Sequence, residues 1–406
     1  MGVAMSRRWL ILALGLLAQA SASAFVYGIA FLVPDIRAVE GLSLAETGVI
    51  VSAPTVGLLL TLIAWGAAAD RFGERVVMAL GLGLAGVLLL VGTLGLHGVT
   101  PLVVVLVLAG AGSASVNAAS GRVVMGWFGP EERGLAMGIR QTAQPVGVGI
   151  AALSLPLLSQ HFGYRAALVF PAVLCVVVAV LVAVLVQDPP RPAVKPGERA
   201  RSPYRQPALW RVHGASTLLV VPQFVISAFS LDYLVSVLHW TPGAAGGFLG
   251  AVQAAGAGGR IVTGVWADRV GSRLRPMRQL AVASALVMGL LALGDLAAPW
   301  LVVTVIAVGA VITVADNGLG FTAAAELAGS SWAGRALGAQ NTAQNIAAAL
   351  TPPMLGLLIG GTSYAVGFLA AAVFPLLAVL VTPVSSERIS AYEDGPQSPG
   401  QAPATR

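Results

Sequence analysis

The amino-acid sequence predicts an all-α membrane protein of twelve transmembrane helices, arranged as two pseudo-symmetric six-helix bundles. Three observations carry that prediction. Hydrophobic residues make up 57% of the 406 and charged residues only 10%, where a soluble domain carries about a quarter charged. The apolar residues fall into runs long enough to cross a bilayer, which takes about 20 residues of helix. An internal repeat then divides the chain in two.

The runs follow in order. The first half holds helices over about 9–33, 46–68, 76–96, 101–126, 134–158 and 165–186. The second holds helices over about 213–237, 244–266, 279–298, 300–324, 335–359 and 364–383. Continuous apolar helices, without ten-residue alternation, exclude a membrane β-barrel. The N-terminus has the look of a signal peptide, Ser6-Arg7-Arg8 followed by an apolar stretch with small residues. The apolar run continues to Val33, however, and is read as a retained first helix. The expected organisation is an N-terminal bundle over 1–186, a linker over 187–212, a C-terminal bundle over 213–385 and a disordered tail over 386–406. The linker is rich in proline and arginine, and the tail in proline, serine and glutamine.

Charge placement gives the orientation. With the N-terminus inside, 18 basic residues fall in cytoplasmic segments and two, Arg37 and Arg165, outside. Three more, Arg122, Arg140 and Arg260, lie within helices. Such a bias places both termini in the cytoplasm of a cell bounded by this plasma (inner) membrane. The net charge of +6 is spread over short loops without interleaved aromatics, so no nucleic-acid partner is expected. One cysteine, Cys175, allows no disulfide within the chain. His97, His161, His213 and His239 are scattered, so no metal or other cofactor is expected. No nucleophile–base pair, zinc signature or phosphate loop stands at useful spacing, which argues against an enzyme.

The repeat is the most specific signal. Gly66-Ala-Ala-Ala-Asp70-Arg71-Phe-Gly73-Glu-Arg75 follows the second helix, and Gly264-Val-Trp-Ala-Asp268-Arg269-Val-Gly271-Ser-Arg273 follows the eighth. Their offset is 198 residues. At an offset of 200, Gly138-Ile-Arg-Gln-Thr142-Ala-Gln144 is echoed by Gly338-Ala-Gln-Asn-Thr342-Ala-Gln344, and Asn117 by Asn317. The glycines permit tight turns. Each aspartate can face the positive N-terminus of a neighbouring helix. Together they suit a latch that forms only when the two halves close on that side.

These loops resemble the loop 2–3 motif of the major facilitator superfamily and its loop 8–9 echo, departing from it at Glu74 and Ser272, where a basic residue is usual. The resemblance covers the chain except the linker and tail. It implies a monomeric secondary transporter in a lipid bilayer, with two six-helix bundles alternately exposing a central cavity. Helices 1, 4, 7 and 10 would line the cavity, and helices 2, 5, 8 and 11 would form the moving interface. Pro145-Val-Gly147-Val-Gly149 partly resembles the family's antiporter motif, which keeps a drug/proton antiporter as the alternative. Trp127 to Thr142, WFGPEERGLAMGIRQT, looks more like the helix 4–5 junction of carriers of organic anions and related small metabolites.

Charges inside the membrane are the candidates for solute contact, since an arginine at mid-helix costs about 2.5–3.5 kcal/mol on insertion scales. Arg140 and Arg260 stand at similar depth on helices 5 and 8, where they hold an anionic group or pair with Asp316. Gln141 and Gln144 accompany Arg140. Arg122, nearer a helix end, reads as structural. Asp316 is the candidate for carrying a coupled proton, with Asp232 second. Polar side chains at helical spacing complete the list: Gln19, Ser23 and Tyr27 on helix 1, Asn117 on helix 4, Asn317 on helix 10, and Gln340, Asn341, Gln344 and Asn345 on helix 11. They serve either a polar solute or interhelical hydrogen bonds.

Overall fold

The structure, a computed structural model, describes residues 2–42, 44–95, 98–189 and 202–387. His97, the centre of the linker and the tail from 388 lie outside the described residues. The first half comprises α1 (Gly2–Val26) with α2 (Val33–Glu40), α3 (Leu44–Phe72), α4 (Glu74–Gly95), α5 (Val99–Trp127), α6 (Arg133–Gln141) with α7 (Ala143–Phe162), and α8 (Tyr164–Leu185). The second comprises α9 (Pro207–Asp232), α10 (Pro242–Val270), α11 (Leu274–Ala297), α12 (Pro299–Ala315) with α13 (Asn317–Ala328), α14 (Ala333–Gly361) and α15 (Tyr364–Val381). Among the described residues these make twelve spans. Eleven are long and apolar enough to cross a membrane. The eighth, α10, has the length but is diluted by glycine and by Arg260, Asp268 and Arg269.

Four spans differ from the sequence expectation. The first continues past Val33, through a 3-10 turn and α2, to Glu40. The fifth breaks at Thr142, one turn ahead of Pro145, whose ring nitrogen has no hydrogen to donate. The tenth breaks at Asp316, whose carbonyl accepts from both Leu319 and Gly320. The seventh starts earlier than His213: Pro207 opens it, as proline favours the first helical position.

Each half has its own apolar core. One cluster runs from Ile11 to Val186, and two others draw on residues between Leu209 and Ala378. A fourth joins the halves at the end where the linker attaches, with Leu12, Val124, Met137, Phe321, Ala325 and Leu337. Large side chains such as Leu153, Leu357 and Leu380 are more than 70% exposed on the outer faces. Lipid supplies the missing burial there.

The halves meet closely only toward the linker end. There α14 packs on α3 and α10 on α6, whereas α10 hardly touches α7. A methyl group on Gly66 would collide with the Gly334 carbonyl oxygen, and one on Gly264 with that of Gly134. Only glycine allows backbones this near. The central space is therefore sealed at the linker end and open at the other.

Candidate functional site

Between the halves, above the seal, lies a cavity of about 210 Å3. Of the residues singled out from the sequence, Gln19, Tyr27, Asn117, Arg140, Gln141, Gln144, Arg260, Asn317, Asn341 and Gln344 line it. Gln340, Asp316 and Asp232 do not.

The two arginines come from opposite halves. Arg140 lies at the end of α6, and its Nε donates to Ser120 Oγ (3.0 Å), Nη1 to Gln141 Oε1 (2.8 Å) and Nη2 to the Asn117 carbonyl (3.2 Å). Its guanidinium lies 5.6 Å from the Phe321 ring centre. Arg260, on α10, donates through Nη1 to the Gln141 carbonyl at 2.5 Å, and its Nε is buried without a partner among the described residues. Neither arginine forms an ion pair with a described carboxylate. The ion pair with Asp316 weighed from sequence is absent: Asp316 feels the charge of Arg260 but sits beyond bonding distance. Its Oδ2 is buried without a hydrogen-bond partner among the described residues.

Amides complete the wall in matched pairs. Gln19 Nε2 donates to Asn117 Oδ1 (2.8 Å), and Asn317 Nδ2 donates to Gln223 Oε1 (3.1 Å). Asn117 and Asn317 are the repeat-related pair, and each binds a glutamine from the first helix of its own half. Asn341 Nδ2 donates to the Leu337 carbonyl (2.9 Å), and Gln344 Nε2 is buried without a described partner.

Gln340 stands behind the wall. It is fully buried against the His213 ring, which also meets Tyr204. One residue along a helix turns a side chain by about 100°, so Asn341 faces the cavity and Gln340 the bundle interior. Asp232 lies at the open end and accepts from the Tyr364 hydroxyl. Ser23 is buried against α7, where its Cβ limits the space beside Gly147. Asn345, one turn beyond Asn341, lines the cavity as well, and Thr55, Val220, Gln223, Phe224 and Phe321 line it beyond the sequence list. Gln223 was visible only as a lone amide in an apolar helix, and the phenylalanines read like any core aromatic.

The seal below the cavity is built from the repeated loops. The Asp70 carboxylate accepts from the backbone N–H groups of Gly334 (2.9 Å) and Arg335 (3.2 Å), at the N-terminus of α14. Asp268 accepts from those of Gly134 and Leu135, both at 2.8 Å, at the N-terminus of α6. Each half thus clasps a helix of the other by its positive end. Gly73 and Gly271 turn the chain at φ of +98° and +63°, conformations that disfavour any residue with a Cβ.

Supporting charges differ between halves. Arg122 is buried and bridges Asp70 (2.8 Å) and Glu74 (2.9 Å). Glu74, placed where the related motif is basic, thereby neutralises an arginine inside its own half. Arg273 is buried between Asp268 and Glu326, and donates to the Pro130 carbonyl across the interface. The Arg75 N–H donates to Asp188 (2.8 Å). Ser272 and the Arg273 N–H donate to Glu387. Arg71 and Arg269 are exposed, Arg71 against the Phe72 ring.

The comparisons agree with this architecture. The family model described as Major Facilitator Superfamily matches residues 15–352. An uncharacterized MFS-type transporter of Mycobacterium tuberculosis (strain ATCC 25618 / H37Rv) is 43% identical over 380 residues, 93% of this chain and 85% of that protein. The glycerol-3-phosphate transporter of Bacillus subtilis (strain 168) is 27% identical over 43% of this chain and 40% of its own. The fucose:proton symporter of E. coli shares the fold, with a TM-score of 0.72 at 16% identity over 94% of this chain and all of that one. With its two six-helix halves, its paired loops and these matches, the chain belongs to the major facilitator superfamily and is a membrane transporter of that family.

Proposed function

We propose that the protein carries a small organic anion across the plasma membrane by alternating access, with Arg140 and Arg260 holding the anionic group. One observation carries this reading: among the described residues, two guanidinium groups line the cavity and no carboxylate does. Arg260 Nε and Gln344 Nε2 are buried donors without described acceptors, and such groups destabilise a site until an acceptor arrives. The amides from Gln19, Asn117, Asn317, Asn341 and Gln344 suit hydroxyl groups on the same solute. The relative named for glycerol-3-phosphate handles an organic anion, which is consistent with the reading.

The charge bias of the loops supports placing the linker end in the cytoplasm. The cavity then faces outward, with the Asp70 and Asp268 loops as its cytoplasmic latches. Asp316 is the proposed proton site. A proton there removes the negative charge nearest Arg260, so protonation and anion binding reinforce each other. A cationic drug fits poorly, because the wall offers it no acid.

Purified protein in liposomes tests the proposal by counterflow with D-glucuronate, D-galactonate and glycerol 3-phosphate. Saturable exchange of at least one, lost in Arg140→Gln, is the expected result. Exchange that ignores anions, or that survives Arg140→Gln unchanged, overturns it.

A further inference from the structure

The fifth span breaks at Thr142, in the middle of the site, and the break has a chemical cause. In an unbroken helix the carbonyl of residue 141 would accept from the N–H of residue 145. Residue 145 is proline and has no N–H. The Gln141 carbonyl is therefore left to find another donor. It accepts from Arg260 Nη1, which reaches it from the other half of the molecule. The Gln141 side chain meanwhile accepts from Arg140 Nη1 (2.8 Å). One residue thus touches both guanidiniums, through its side chain on one and its main chain on the other. Glycine makes the approach possible: a methyl group on Gly138 would stand 2.5 Å from the Arg260 carbonyl oxygen.

We infer that Gln141 is the positioning residue of the site, and that Pro145 creates the main-chain acceptor by which it holds Arg260 across the bundle interface. This rests on the anion reading above. It adds a route from solute to conformation. The Gln141 carbonyl is neutral, and an anion is the stronger acceptor for a guanidinium. The Gln141 carbonyl takes only Nη1 and leaves the other guanidinium N–H groups to the solute, so an anion bound there shares one side chain with a hydrogen bond that ties α6 to α10 at cavity level. The second half lacks this device. At the repeat offset of 200, Pro145 corresponds to Asn345, which has an N–H, and α14 runs unbroken through it.

Pro145→Ala restores the missing N–H, and with it a helical partner for the Gln141 carbonyl. The test is a cycle of Pro145→Ala, Arg260→Gln and the double variant in full-length protein, with Pro156→Ala, another proline within α7, as control. The first readout is affinity for D-glucuronate, D-galactonate and glycerol 3-phosphate. Pro145→Ala is expected to weaken binding about tenfold, as for a lost hydrogen bond to a charged group. It should add nothing in the Arg260→Gln background, and Pro156→Ala should change affinity less than about twofold. The second readout needs no solute: spin labels on Glu131 and Val270 report the distance between α6 and α10 at the linker end. Pro145→Ala and Arg260→Gln should each raise the separated population, and the double variant no further. Multiplicative effects in either readout overturn the inference, because they assign Pro145 to helix structure alone. The anion reading fails separately, if wild type binds none of the three probes while the distance cycle still shows coupling.

Discussion

Replacing Asp70 with asparagine separates the latch from the fold. The carboxylate serves two masters. Within its own half it holds Arg122 at 2.8 Å. Across the interface it holds the N–H groups of Gly334 and Arg335, and it meets the Arg335 guanidinium at 3.3 Å. Arg122 moves with Asp70 when the halves separate, so that pair weighs on stability and leaves the conformational balance alone. Only the contacts across the interface count toward closure. A hydrogen bond to a charged group contributes about 1.5–3 kcal/mol, and the helix N-terminus adds about 0.3–1 kcal/mol to a nearby anion. The Arg335 pair adds little, because that side chain is 36% exposed. Asparagine keeps one carbonyl acceptor and loses the charge, so the closed state should weaken by about 2 kcal/mol, or about 30-fold in the closed-to-open ratio. Spin labels on Phe72 and Ser330, one on each half at the linker end, measure that ratio directly. A shortfall in thermal stability with an unchanged distance distribution would refute the reasoning, since Asp70 would then serve Arg122 alone.

Three further outcomes follow from the site. Arg140→Lys should weaken organic-anion affinity about tenfold and Arg140→Gln about a hundredfold, because lysine keeps the charge but not the forked geometry; equilibrium binding of the same three probes checks both. Asp316→Asn should abolish uptake driven by a proton gradient while solute counterflow continues, and gradient-driven uptake that persists would exclude the proton role. Gln340→Ala should lower thermal stability by about 1–2 kcal/mol by stranding buried His213, yet leave solute affinity within about twofold, as measured by thermal denaturation beside the binding assay.

Much of this was legible in the sequence because the membrane imposes strong rules. Apolar runs of fixed length give the helices, and a repeated loop gives the two halves. The aspartates of that loop were readable as partners of helix N-termini because the chemistry is local: a carboxylate at a helix end has few uses. Arg140 and Arg260 stood out because charge in an apolar run is costly. What escaped was direction. Gln340 and Asn341 are adjacent polar residues on one helix, and only the azimuth of α14 decides which meets the cavity. The helix breaks at Thr142 and Asp316 escaped for a different reason. A proline marks a missing donor but does not say which side chain will claim the freed carbonyl, and at Asp316 no proline marks the break at all. Phe224 and Phe321 carry no polar signal that would separate a cavity wall from a core.

The repeat also shows how a symmetric scaffold acquires a polar site with a direction. Asn117 and Asn317 keep the symmetry, each with a glutamine partner in its own half. The arginines break it. At the offset of 200, Arg140 corresponds to Gln340; at the offset of 198, Arg260 corresponds to Leu62. Both positive charges therefore fall on the side where α6 meets α10, and neither on the side where α3 meets α14. An anion held between them sits off the pseudo-twofold axis, against one interface of the two. Its charge acts most strongly on the α6–α10 contact, which carries the Gln141–Arg260 hydrogen bond, and falls away toward α3 and α14 with distance. On the proposed reading, the Asp70 contacts on the far side set how tightly the halves close, and the asymmetric side gives the solute its influence over when they part.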